Sequence, residues 1–143
     1  MAQAIIATIT DTARSKFAEM LQMGRSFTIT EFVTGEGGHD TGDPAIALTP
    51  DPTATILPLQ SFGPKTITSK SLISPFCVEY LTNLDPLEAV GPLSNVGLIA
   101  RFTYSPIGGD PLLGTSFLFA IANFPLIVKT DAEARAISVQ VNY

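Results

Sequence analysis

The sequence has no tryptophan, one cysteine and one histidine, and only 15% of its 143 residues are charged. Each scarcity excludes something. A lone cysteine, Cys77, cannot close an intramolecular disulfide, and inside an apolar alternating stretch it reads as a small buried residue rather than a nucleophile. A lone histidine, His39, leaves no second imidazole for a zinc-type site and no visible pairing of nucleophile with base. Eight Lys and Arg against thirteen Asp and Glu give a net charge of -5, without a basic cluster. That balance argues against nucleic acid and anionic lipid as partners. Long apolar runs are also scarce. Pro111 to Val128 is free of charge, but Gly114, Thr115, Ser116, Asn123 and Pro125 interrupt it. Within it Phe117, Phe119 and Ile121 alternate with Leu118, Ala120 and Ala122, as in a strand buried on both faces rather than a membrane span. No basic, then apolar, leader opens the chain, so it is expected to begin as the mature protein does.

What is present is apolar: 45% of the residues are hydrophobic. With so little charge, much of the surface must be polar and neutral or covered by another protein, which favours a component of an assembly. The length fits one domain, residues 1–143.

The stretch from Ile9 to Gly37 organises the rest. Ala13, Phe17, Met20 and Leu21 have the spacing of one helical face, with Thr10 as N-cap, Asp11 in the first turn and Gly24 as the left-handed terminator. Ser26 to Thr34 reads as a strand, with Phe27, Ile29 and Val33 alternating with Thr28, Thr30 and Thr34. Gly35 to Pro44 reads as loop. Its Glu36, His39, Asp40 and Asp43 have metal-ligand chemistry but no fixed ligand spacing, and Pro44 stands where a phosphate-binding loop needs a helix start. Prolines at 44, 50, 52, 58 and 64 then forbid a long regular element, leaving an extended, surface-wrapping segment.

Further strands are expected at Ala2 to Ala7 (a short edge strand), Lys65 to Ser74, Pro75 to Thr82 and Val96 to Thr103. Another runs through Phe117 and Ile121 and ends at Phe124 and Pro125, and the last covers Ala136 to Tyr143 with Ile137, Val139 and Val141 on one side. The expected class is α+β: one short N-terminal helix packed on a mainly antiparallel β-sheet or sandwich with long loops. Glu79 and Glu88 are not placed together by any spacing, and Phe102, Tyr104, Phe117, Phe119 and Phe124 read as core rather than as a sugar-binding platform. No catalytic, cofactor-binding or metal residue is assigned, and the chain is read as no enzyme.

Four stretches, in this order, resemble the N-terminal domain of phage tail-collar fibre proteins. They are Ile9-Thr10-Asp11 opening a helix with Phe17 and Leu21; Phe27 to Gly38; Glu88-Ala89-Val90-Gly91 leading to Val96-Gly97-Leu98; and Leu118-Phe119-Ala120 through Asn123-Phe124-Pro125 to Lys129-Thr130. The chain departs from the pattern in Gln60 to Lys65, and at Asn95, where a glutamate often stands. It also ends at Tyr143, where a fibre protein would continue into a shaft, so the attachment module alone is expected. The resemblance implies a virion structural protein of a tailed phage, a collar or baseplate adaptor between tail and fibre. It would be multicopy or homo-oligomeric, bound to other tail, baseplate or fibre proteins, and assembled in the host cytoplasm. No catalytic residue carries over, and neither nucleic acid nor membrane is an expected partner. The alternative expectation is a carbohydrate- or receptor-binding module of a tail fibre.

Overall fold

The computed structural model describes residues 3–143, so Ala2, the first residue of the expected edge strand, lies outside it. Helix α1 (Asp11–Met23) starts and stops where its caps dictate. Thr10 Oγ1 accepts the Ala13 amide at 3.1 Å while its own hydroxyl donates to the Leu118 carbonyl at 2.7 Å, so the cap also ties the helix to the sheet. Gly24, at φ 76°, returns its N–H to Met20. The buried face is narrower than expected. Ala13 is fully buried and Phe17 half-buried, but Leu21 is 87% exposed. At about 100° per residue Leu21 falls about 80° from Ala13, on the flank of the contact.

Among the described residues, nine strands form two sheets around a common core. The first sheet orders β1 (Gln3–Ile6), β9 (Arg135–Asn142), β6 (Cys77–Leu84) and β5 (Ser69–Ser74). The second orders β2 (Thr8–Ile9), β8 (Ser116–Lys129), β7 (Gly91–Tyr104), β3 (Ser26–Gly35) and β4 (Gln60–Thr66). All pairings are antiparallel except β1 with β9. The protein is therefore α+β, a single helix on a β-sandwich.

Both side edges of the sandwich are closed by chain that switches sheets. At one, Ala7 donates to Gln140 of the first sheet and Thr10 to Phe119 of the second, each at 2.9 Å. At the other, Ile67 donates to Thr30 and Thr68 to Leu81, each at 3.0 Å. Switching corners join the two sheets at both sides of the sandwich, with β5 and β4 remaining the outermost strands of their sheets.

The strands depart from the sequence expectation in several places, β7 among them, which begins at Gly91 rather than Val96. Lys65 to Ser74 is two strands in two sheets, because the chain crosses the corner at Ile67, and β4 already begins at Gln60 and contains Pro64. An outermost strand tolerates that proline. Nor does β8 stop at Pro125. The residue falls at a register shift between the Leu93–Ile127 and Asn95–Asn123 pairs, where no ladder bond needs its missing N–H, and Leu126 donates outward to Pro44 at 2.9 Å. In β3 a bulge between Ile29 and Glu31 breaks the simple alternation. Phe32 consequently joins Ile29 in the main core, while Val33 turns to the opposite face.

The main core lies between the sheets and includes Phe32, Val96, Leu98, Phe119 and, facing them from β9, Ile137, Val139 and Val141. A smaller cluster of Val33, Leu57, Leu118 and Ile121 lies on the outer side of the second sheet. Leu57 belongs to the long connection between β3 and β4, which crosses that face as a strap.

Candidate functional site

The strap, residues 36–59, is the largest feature outside the sandwich, and its glycines fasten it. An added Cβ at Gly38 would lie 2.0 Å from the Ser94 carbonyl oxygen, and one at Gly37 would lie 2.5 Å from that of Pro58. Glycine permits this close backbone approach where any other residue forbids it. The Gly38 amide donates to Ser94 Oγ at 2.8 Å, Asn95 Nδ2 to the Pro58 carbonyl at 3.0 Å, and Asn123 Nδ2 to the Leu48 carbonyl at 2.9 Å. Leu57 is 2% exposed and seats over Gly97, where a Cβ would come within 3.0 Å of both Leu118 and Val33. Asn95, the departure from the family pattern, is thus one of the fastenings.

The acidic loop residues serve the strap's own turns. Asp40 Oδ1 accepts the Gly42 amide at 2.8 Å and Asp43 Oδ1 the Ala45 amide at 3.1 Å, while His39 Nδ1 shares a hydrogen bond with Ser94 Oγ at 2.9 Å. Among the described residues, no three His, Cys, Asp or Glu side chains converge as metal ligands would. The outward side of the strap carries Ile46, Leu48, Ile56 and Leu59, with Ile56 74% exposed.

The second long loop, between β7 and β8, is held by a buried ion pair. Arg25 Nε donates to Asp110 Oδ2 at 2.6 Å, the Ser105 hydroxyl donates to the same oxygen at 2.6 Å, and the Leu112 amide reaches Oδ1. The Arg25 guanidinium first, then the Ser105 hydroxyl and the Leu112 amide, hold the Asp110 pKa at about 2.

The two ends of the sandwich differ. At the end where β6 finishes and β9 begins lies a hollow of about 640 Å³, with Ile5, Leu84, Phe124 and Ile127 as apolar floor and Asp85, Glu133 and Arg135 at its mouth. At the opposite end a smaller hollow of about 310 Å³ opens between Phe17, Phe27, Phe119 and Tyr143, with Lys70 beside it. Tyr80 and Tyr143 share a hydrogen bond between their hydroxyls at 3.0 Å, and burial raises both phenolic pKa values. The aromatic residues singled out in the sequence do not form one platform. Phe102, Phe117 and Phe119 pack with Phe27 in the core at 5.2 to 6.0 Å, Phe124 lines the opposite hollow, and Tyr104 stands exposed.

Glu79 and Glu88 have separate partners: Gln140 bonds the first at 3.2 Å, and Lys65 pairs with the second. Burial opposes the Lys65 charge, but the Glu88 and Asp85 carboxylates outweigh it and raise the Lys65 pKa. Cys77 is buried. Lys129, named in the sequence only as part of the last resembling stretch, is buried with its ammonium on the carbonyls of Asp85 and Pro86 at 2.9 Å each. A charged residue at the very end of an apolar strand gives no sequence signal of inward burial. Comparison of the chain with protein-family models, with curated proteins and with solved structures finds no match.

Proposed function

We propose that this chain is a structural protein of a tailed-phage virion, a multicopy collar or baseplate adaptor between the tail and a fibre. The observation that carries the reading is the strap: a long loop fastened to the sheet by buried contacts while Ile46, Leu48, Ile56 and Leu59 face outward. A loop held rigidly with apolar side chains outward loses little entropy when a partner covers it, which suits a permanent contact more than a passing one. The resemblance of Phe27 to Gly38 and of Leu118 to Thr130 to the tail-collar fibre domain supplies the kind of assembly. The protein acts by surface complementarity, and its partners are other tail, baseplate or fibre proteins or further copies of itself.

Quantitative mass spectrometry of purified phage particles tests the reading. The chain is expected in several copies, in a ratio to the tail-tube protein set by tail symmetry. Its absence from intact particles overturns the proposal.

A further inference from the structure

We infer that the strap is the docking face for a different virion protein, one whose contact surface sets lysines around an apolar centre. This inference rests on the adaptor reading and names the chemistry of one partner within it.

Charge in this chain is sorted by place. The strap holds Glu36, Asp40, Asp43 and Asp51 and no lysine or arginine. Most carboxylates elsewhere find a cation, as Glu31 does in Arg101 and Glu88 in Lys65. Among the described residues, none of the strap's four does. Nor do three of them converge as ligands of a metal ion would, so the charge is spread along a face.

The unpaired acids are also oriented. Asp40, Asp43 and Asp51 each turn Oδ1 to an amide two residues on, at Gly42, Ala45 and Thr53, which leaves Oδ2 without a partner among the described residues. A carboxylate fixed through one oxygen offers the other to an ammonium at small cost in side-chain entropy. The Thr53 hydroxyl and amide lower the Asp51 pKa, so that charge is kept at neutral pH. Apolar groups lie among these acids: residues 41–49 are exposed without a break and include Ile46 and Leu48, and Ile56 and Leu59 follow Asp51. An exposed apolar face with unpaired charge of one sign fits a partner of the opposite sign.

A second copy does not supply that partner. Outside its ion pairs the chain has Arg14 on α1, Lys70 on β5, and Lys129, whose ammonium is buried on backbone carbonyls. Two accessible cations on separate elements do not match four carboxylates on one segment. Nucleic acid and anionic lipid carry the strap's own sign. A basic protein surface with an apolar centre is the occupant that remains.

Carboxyl footprinting tests the inference, with glycine ethyl ester and a carbodiimide as the probe, on the isolated protein and on purified particles. Asp43 and Asp51 are exposed in the isolated chain and should label there, and label several-fold less in particles. Carbodiimide alone should join strap carboxylates to lysines of a different virion protein. A variant carrying Asp40→Asn, Asp43→Asn and Asp51→Asn keeps an Oδ1 acceptor for each turn. It should melt close to wild type while its copies per particle fall several-fold. Asp131→Asn, which removes an exposed carboxylate outside the strap, should enter particles normally. Equal labelling of the strap in isolated protein and particles, cross-links confined to other copies of this chain, or normal incorporation of the triple variant overturns the contact. When those results come from particles that contain the chain, the adaptor reading stands; absence of the chain from particles overturns both.

Discussion

The outer faces of the two sheets are built on opposite plans. The first sheet turns Glu79, Gln140 and Asn142 outward from β6 and β9, with Glu79 and Gln140 bonded to each other, and it needs no cover. The second turns Val33, Leu118 and Ile121 outward and covers them with residues 36–59, which contribute Leu57 and Ala54 to a second small core. The difference shows that a segment without regular secondary structure can be a layer of the fold. What makes it one is buried apolar contact plus satisfied backbone groups, here supplied by Leu57, Gly38, Ser94, Asn95 and Asn123.

If the strap is a layer, removing a side chain beneath it should cost as much as removing one from the interior. Leu57→Ala and Phe17→Ala should each destabilise by about 3 kcal/mol. The first loses a residue 2% exposed, and the second loses a half-buried ring that packs edge-on to Phe27, Phe119 and Tyr143 at 5.0 to 6.3 Å. Urea unfolding reads both. A Leu57→Ala cost near zero beside a full Phe17→Ala cost would reduce the strap to a loose cover.

A pair of glycines sharpens the same point at lower cost. Gly38→Ala drives a methyl into the Ser94 carbonyl and should destabilise by about 2 kcal/mol, whereas Gly108→Ala, with nothing within 4 Å, should stay within about 0.5 kcal/mol of wild type. Equal midpoints for the two variants would contradict the close packing of the strap.

The smallest effect separates the strap from the other long loop, which an ion pair holds in place of an apolar contact. Since the Asp110 pKa is lowered to about 2 in the folded protein, its contribution is fully present above the ordinary aspartate range near 4 and is lost as pH falls from there toward 2. Asp110→Asn should flatten that part of the stability profile in acid titration, and Leu57→Ala should leave its shape unchanged.

Much of the sandwich was legible because its signals are local. The caps of α1, the alternation in β9 and the doubly buried run in β8 follow from side-chain chemistry at fixed spacing. The corner at Ile67 was not, because both strands it joins are polar and short, and nothing in Lys65 to Ser74 marks which sheet each half serves. The bulge at Thr30 was hidden for a similar reason: one extra residue changes the face without changing composition. Glycines at 37 and 38 announced a loop correctly while Gly35, expected to open it, ends β3 instead, because glycine signals conformational freedom and close backbone approach with the same letter. The end hollow depends on how the sheets overlap, which no local pattern encodes.

Native-state hydrogen exchange on the isolated protein tests the strap most directly. The amides of Gly38, which donates to Ser94, and of Leu48, which donates to the Gly38 carbonyl, should exchange as slowly as those of the β3–β7 ladder, and Leu57→Ala should speed strap and ladder together. Fast exchange at Gly38 and Leu48 beside a protected ladder would contradict the account, and leave residues 36–59 an ordinary surface loop.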